Sequence, residues 1–88
     1  MSKRDAERHR PVEIVYVRVG HAVRKARCRR GLTLRQVSNI TGLTIAHISR
    51  LERADDRGQL HALYRIAHAL GVTVFSFLPD DDAPDYVI

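Results

Sequence analysis

Apolar residues along this chain recur three and four positions apart, which gathers them on one face of a helix and leaves the opposite face polar. The first run, Val12, Val15, Val19, Ala22, Val23 and Ala26, predicts a helix from about Val17 to Arg29. Just upstream, Ile14, Val15, Tyr16 and Val17 are β-branched or aromatic, so residues 12–17 fit a strand as well as a helix. As a strand they would offer a pairing edge to the Tyr86, Val87, Ile88 end of a second chain. Gly31 closes the first helix, and Thr33 with Gln36 three positions later forms the capping box that opens the second. Val37 and Ile40 are its expected inner face, Gly42 breaks it, and Leu43 turns back inward.

Thr44 is a good cap for a third helix. Within Ile45–Arg53, helical spacing puts Ile48, Leu51 and Glu52 on one face and Ala46, Ser49, Arg50 and Arg53 on the other. Beyond the ADDRG loop, Leu60, Leu63, Ile66, Ala67 and Leu70 predict a fourth helix ended by Gly71. Thr73 is expected to cap a short fifth helix, with Val74, Phe77 and Leu78 inward and Pro79 as its stop. Phe75 has no place on that inward face, which makes it an exposed residue suited to a dimer contact. The expected fold is all-α, a compact domain of five helices.

Length sets the next limit. Eighty-eight residues allow one domain with a modest core and no space for a large cofactor cavity. Residues 1–10 read as a basic arm, either tracking a binding partner or simply solvated; residues 11–78 form the folded domain. Residues 79–88 are an acidic tail with an apolar tip, either a solubilising segment or a peptide dock. No apolar run is long enough to cross a bilayer and no signal-type stretch follows the amino-terminal charges, so the expected compartment is the cytosol. Cys28 stands alone and reads as a half-buried small side chain, and His61 and His68 are about 10 Å apart along a helix, too far to share a metal. Neither a nucleophile with an adjacent base nor a phosphate-cradling glycine loop is recognisable, so neither an enzyme nor a cofactor is expected.

Charge adds a partner class. The formal balance is +5, but residues 1–78 hold 15 basic and 6 acidic side chains, a net of +9. Thirteen of the fifteen basic residues are Arg, whose planar fork suits phosphates and guanine edges. A merely soluble basic surface would have the same composition. The pattern favours a polyanion: two short helices joined by a glycine-containing turn form the unit whose second helix fits the DNA major groove.

The stretch VGHAVRKARCRRGLTLRQVSNITGLTIAHISRLERADDRGQLHALYRIAHALGVTVFSFL resembles the Cro/cI-type helix-turn-helix domain, the lambda-repressor-like or xenobiotic response element family, over about two thirds of the chain. The likeness rests on Gly31, Leu32, Val37, Ser38, Gly42, Leu43, Ile48, Leu51, Glu52 and the ALGV run at 69–72. It implies a domain that binds operator DNA, commonly as a dimer, and regulates transcription. Arg27 and Glu52 match a structural pair joining helix 1 to helix 3.

The resemblance places base reading on Ile45, Ala46 and Arg50, with Ser49 in support, and backbone contacts on Thr44 and His47. Arg50 is the strongest candidate, since a guanidinium that takes guanine O6 and N7 is worth roughly 1–3 kcal/mol of discrimination. Backbone anchoring falls to Thr33, Arg35 and Gln36 at the dipole-positive start of helix 2, and to Arg53 and Arg57 beside the next loop. A homodimer would set two recognition helices about 34 Å apart and predicts an inverted-repeat site on double-stranded DNA. Two departures stand out: Leu34 replaces a frequent Gln, and Ala54, Asp55 and Asp56 replace a Glu-variable-Gly loop. The two aspartates either face away from DNA or cap helix 4. The expected function is a sequence-specific dimeric transcription regulator; the alternative is an antitoxin or adaptor whose Phe75 and tail dock a protein partner.

Overall fold

The computed structural model describes residues 3–56 and 59–79, with side chains from residue 14 onward. Four α-helices follow in order, α1 (Lys3–Arg29), α2 (Leu34–Thr41), α3 (Ile45–Glu52) and α4 (Leu60–Leu70), and a 3-10 helix (Val74–Phe77) comes last. No strand occurs among the described residues. Residues 12–17, where strand and helix were both open, are helical, and residues 3–10 lie in the same helix. Burial supports the helical spacing there: Val19 and Val23 enter the core, and Val15, Ala22 and Ala26 pack against it.

The core is closed from every element, with Val37 from α2, Ile48 and Leu51 from α3, Leu63, Ile66 and Leu70 from α4, and Val74 and Phe77 from the last turn. The expected fifth α-helix is a single 3-10 turn. Its hydrogen bonds span three residues, from Ser76 N–H to Thr73 O and from Leu78 N–H to Phe75 O. In that geometry residues three apart eclipse, so Val74 and Phe77 are buried together and Phe75 is 73% exposed. Thr73 does not cap with its side chain; its carbonyl instead accepts the Ser76 hydroxyl at 2.6 Å.

Three residues expected inside lie outside. Ile40 is 58% exposed because the position four residues after Val37 is taken by Thr41, whose hydroxyl donates to the Val37 carbonyl. Leu60 is 64% exposed, since the inward row of α4 begins with Ala62 and Leu63. Leu78 is 43% exposed where the backbone has become extended. Cys28, expected half-buried, is exposed.

Helices α1, α3 and α4 end by one device, a left-handed residue followed by paired bonds back to the last turn. Gly31 and Gly71 serve α1 and α4. At the end of α3 the left-handed residue is Ala54, at φ 61, with Ala54 N–H on Leu51 O at 3.2 Å and Asp55 N–H on Arg50 O at 2.8 Å. An L-residue with a Cβ is strained there by about 1–2 kcal/mol, more than glycine's extra backbone entropy costs.

Gly20, inside α1, was given no role by the apolar pattern. A Cβ at that position would lie 2.6 Å from Leu51 O and 2.7 Å from Glu52 O, so the glycine is what lets α1 rest on the backbone of α3. Gly20→Ala is expected to lower stability toward the upper end of the ~1–3 kcal/mol that overpacking costs, in excess of the ~1 kcal/mol that alanine's helix propensity returns. Ala54→Gly is expected to raise it by about 0.5–1 kcal/mol. Urea unfolding of the two variants tests both signs.

Candidate nucleic-acid interface

The turn between α2 and α3 consists of Gly42, Leu43 and Thr44, and side chains pin it at each step. Gly42, at φ 78, donates its N–H to Ser38 O at 2.9 Å. Leu43 N–H donates to Thr41 Oγ1 at 3.2 Å, and Ser38 Oγ donates to the Leu43 carbonyl at 2.6 Å. Thr44 then caps α3, its hydroxyl accepting the His47 N–H at 3.0 Å. At the other end of α2 the capping box is complete: Gln36 N–H donates to Thr33 Oγ1 at 3.1 Å and Thr33 N–H to Gln36 Oε1 at 2.8 Å. These bonds fix the turn and the starts of both helices.

One side of α3 is committed to the interior. Ile48 and Leu51 are buried, and the Glu52 carboxylate is 6% exposed. Arg27 reaches it with both arms of its fork, Nε to Oε2 at 2.7 Å and Nη2 to Oε1 at 3.0 Å, and donates Nη1 to the Leu32 carbonyl at 2.8 Å. The hydrogen bond to Glu52 raises the Arg27 pKa further above its ordinary value, against the opposing effect of burial. One side chain thus joins the end of α1, the approach to α2 and the end of α3. A second tether, invisible in the sequence pattern, is Arg30, whose Nε donates to the Leu70 carbonyl at 2.8 Å and whose guanidinium lies over Gly71.

The other side of α3 is open. Ala46, Arg50 and Arg53 are exposed, Ile45 is 40% exposed, and Ser49 and His47 are half-buried. Thr33, Arg35, Gln36 and Thr44 are exposed around the N-terminal ends of α2 and α3. Leu34 packs against the core, so the residue that departs from the family's Gln serves packing. Arg57 lies outside the described residues. Asp55 and Asp56 turn back toward α3: Arg53 Nε is 3.4 Å from Asp55 Oδ2, and His47 Nε2 is 3.7 Å from Asp56 Oδ2. Helix α4 starts after Gln59 without a side-chain cap. Among the described residues no group of three or more His, Cys, Asp or Glu could hold a metal, and no helix is long and apolar enough to cross a membrane.

A helix-turn-helix family model matches residues 23–77, which contain the capped pair, the pinned turn and the Arg27–Glu52 fork. This chain belongs to the lambda repressor/Cro-like helix-turn-helix family. The family is one of DNA-binding transcription regulators.

Among solved structures, this helix-turn-helix protein is similar to the clp gene regulator ClgR from Corynebacterium glutamicum (29% identity, TM-score 0.68, 70% of this chain and 66% of that one). It is also similar to the restriction-modification controller protein C.AhdI from Aeromonas hydrophila (22%, 0.69, 72% and 96%). The hydroxypropylphosphonic acid epoxidase from S. wedmorenis shares the fold as well (22%, 0.68, 84% and 40%). The chain therefore spans less than two thirds of the length of ClgR and of the epoxidase. No curated protein matches it in sequence.

In this helix-turn-helix protein the part-buried fork joins three elements of the fold. Glu52→Ala leaves the part-buried Arg27 charge without its partner and is expected to cost about 1–3 kcal/mol, the penalty for a polar group left unsatisfied. Adding Arg27→Met should recover part of that loss. Thermal melts of the single and double variants measure both.

Proposed function

We propose that this protein is a sequence-specific transcription regulator that grips an inverted-repeat DNA site as a homodimer, with α3 in the major groove. The observation that carries the reading is the two-sidedness of α3: Ile48, Leu51 and Glu52 are locked inward, so Ala46 and Arg50 are presented outward on a rigid rod. Arg50 reads guanine through O6 and N7; Ala46 and Ile45 offer apolar surface to thymine methyls, and Ser49 supports them. Thr33, Arg35, Gln36 and Thr44 hold the sugar-phosphate backbone, joined by Arg57 and, once released from their acidic neighbours, by His47 and Arg53. The first-turn backbone N–H groups of α2 and α3 that the Thr33 and Thr44 caps leave over serve the same purpose.

Phe75 is the proposed dimer contact, 73% exposed and near Tyr64 and Val72, which are exposed too. The same apolar surface favours the second reading, an antitoxin or adaptor that docks a different protein. Selection of bound fragments from randomised DNA separates the two: a palindromic consensus with half-sites one helical turn apart supports the regulator. Recovery of no preferred sequence, together with stable capture of a protein encoded beside the gene, supports the adaptor. We place the regulator in the cytoplasm, at the nucleoid.

Arg50→Ala is expected to relax preference at one base pair per half-site by roughly 1–3 kcal/mol, with the melting temperature unchanged. Equal loss of affinity on the selected site and on scrambled duplex would remove Arg50 from the base-reading set.

A further inference from the structure

Two of the side chains proposed for the DNA backbone lie beside carboxylates of the same chain. Arg53 lies 3.4 Å from Asp55 and His47 lies 3.7 Å from Asp56. Backbone geometry sets these carboxylates in place. Ala54, at φ 61, turns the chain, and the Asp55 N–H is fastened to the carbonyl of Arg50, the proposed base reader, at 2.8 Å. The loop then runs back along α3 far enough for Asp56 to meet a residue of the first helical turn. Asp55 and Asp56 thus place two carboxylates beside the outer side of α3, one at Arg53 and one at His47, within a region, residues 1–78, of net charge +9.

We propose that Asp55 and Asp56 are specificity-determining residues, which compete with phosphate for Arg53 and His47 and so weaken binding to arbitrary duplex more than to the cognate site. The inference rests on the reading of α3 as the groove-binding helix. Affinity for arbitrary DNA comes almost wholly from phosphates neutralised and counterions released. On such DNA no base contact fixes the register, phosphates pass Arg53 at varying positions, and a carboxylate held by the backbone keeps the guanidinium. On the cognate site Arg50 fixes the register, the same phosphates face Arg53 and His47 continuously, and the pairs exchange carboxylate for phosphate. The acidic loop thus subtracts from the sequence-independent share of binding and leaves the base contacts untouched.

The test uses the full chain and the single variants Asp55→Asn and Asp56→Asn, titrated by fluorescence anisotropy on the selected fragment and on scrambled duplex over a range of salt. Each substitution is expected to tighten scrambled binding roughly twofold to fivefold, and the salt slope on scrambled duplex should steepen by about 1, the share of one phosphate newly neutralised. Affinity for the selected fragment should rise less, so the ratio between the two DNAs falls. Glu13→Gln on α1 changes net charge by the same unit as one Asp→Asn and should leave that ratio unchanged. Equal tightening on both DNAs, or none on scrambled duplex, overturns the inference. If Arg50→Ala relaxes preference while the aspartate variants leave the ratio intact, the acidic loop is wrong and the α3 reading stands. If selection yields no preferred fragment, both fall together.

Discussion

The charges of Arg27 and Glu52 sit mostly out of water where the end of α1, the approach to α2 and the end of α3 meet. Two opposite charges so placed are stable only with nearly complete hydrogen bonding, and the fork supplies it: two bonds to the carboxylate and one to the Leu32 carbonyl. The geometry has a directional consequence. Because Glu52 must face α1, the helical period turns Ala46 and Arg50 outward. Gly20 serves the same contact from the α1 side, since any larger residue would push the backbones of α1 and α3 apart. The exposed face of α3, proposed above to read bases, is therefore set by what is buried on the opposite side of the same helix.

The rigidity of the pair α2 and α3 has a different, local origin. Ser38, Thr41 and Thr44 each spend a hydroxyl on turn or cap backbone. Their bonds satisfy groups that a short turn would otherwise leave to water. A unit held this way needs few tertiary contacts to keep its shape, which fits its use as the exposed part of a small domain.

That locality explains how much was legible in advance. Thr33 with Gln36, Gly42 and Thr44 act on residues two to four positions away, so their chemistry can be read from the sequence, and the helix-turn-helix unit with it. Periodicity served well in helix interiors and poorly at their ends. Ile40, Leu60 and Leu78 each satisfy an apolar spacing, yet burial there depends on what the fold sets opposite, and all three are exposed. Gly20 and Arg30 carry tertiary contacts alone, with no local pattern, and only the fold reveals them. A lone glycine within a helical stretch was the one available signal for Gly20. The conformation of Ala54 was hidden for a related reason: alanine gives no hint of a left-handed backbone.

The distribution of charge follows from these constraints. Glu52 is consumed by the core, and Asp55 and Asp56 lie beside Arg53 and His47 of α3, while Arg24, Lys25 and Arg29 are exposed on α1 and Arg35 on α2. Long-range attraction to a polyanion depends on the summed field and varies slowly over a Debye length of about 8–10 Å. It can therefore be supplied by residues that touch no base. Base reading is the reverse, a matter of contacts near 3 Å that gain nothing from surplus charge and lose selectivity when phosphates hold the helix regardless of sequence. In the regulator proposed above these two tasks would fall to different elements, with the exposed cations of α1 and α2 supplying attraction and α3 discrimination.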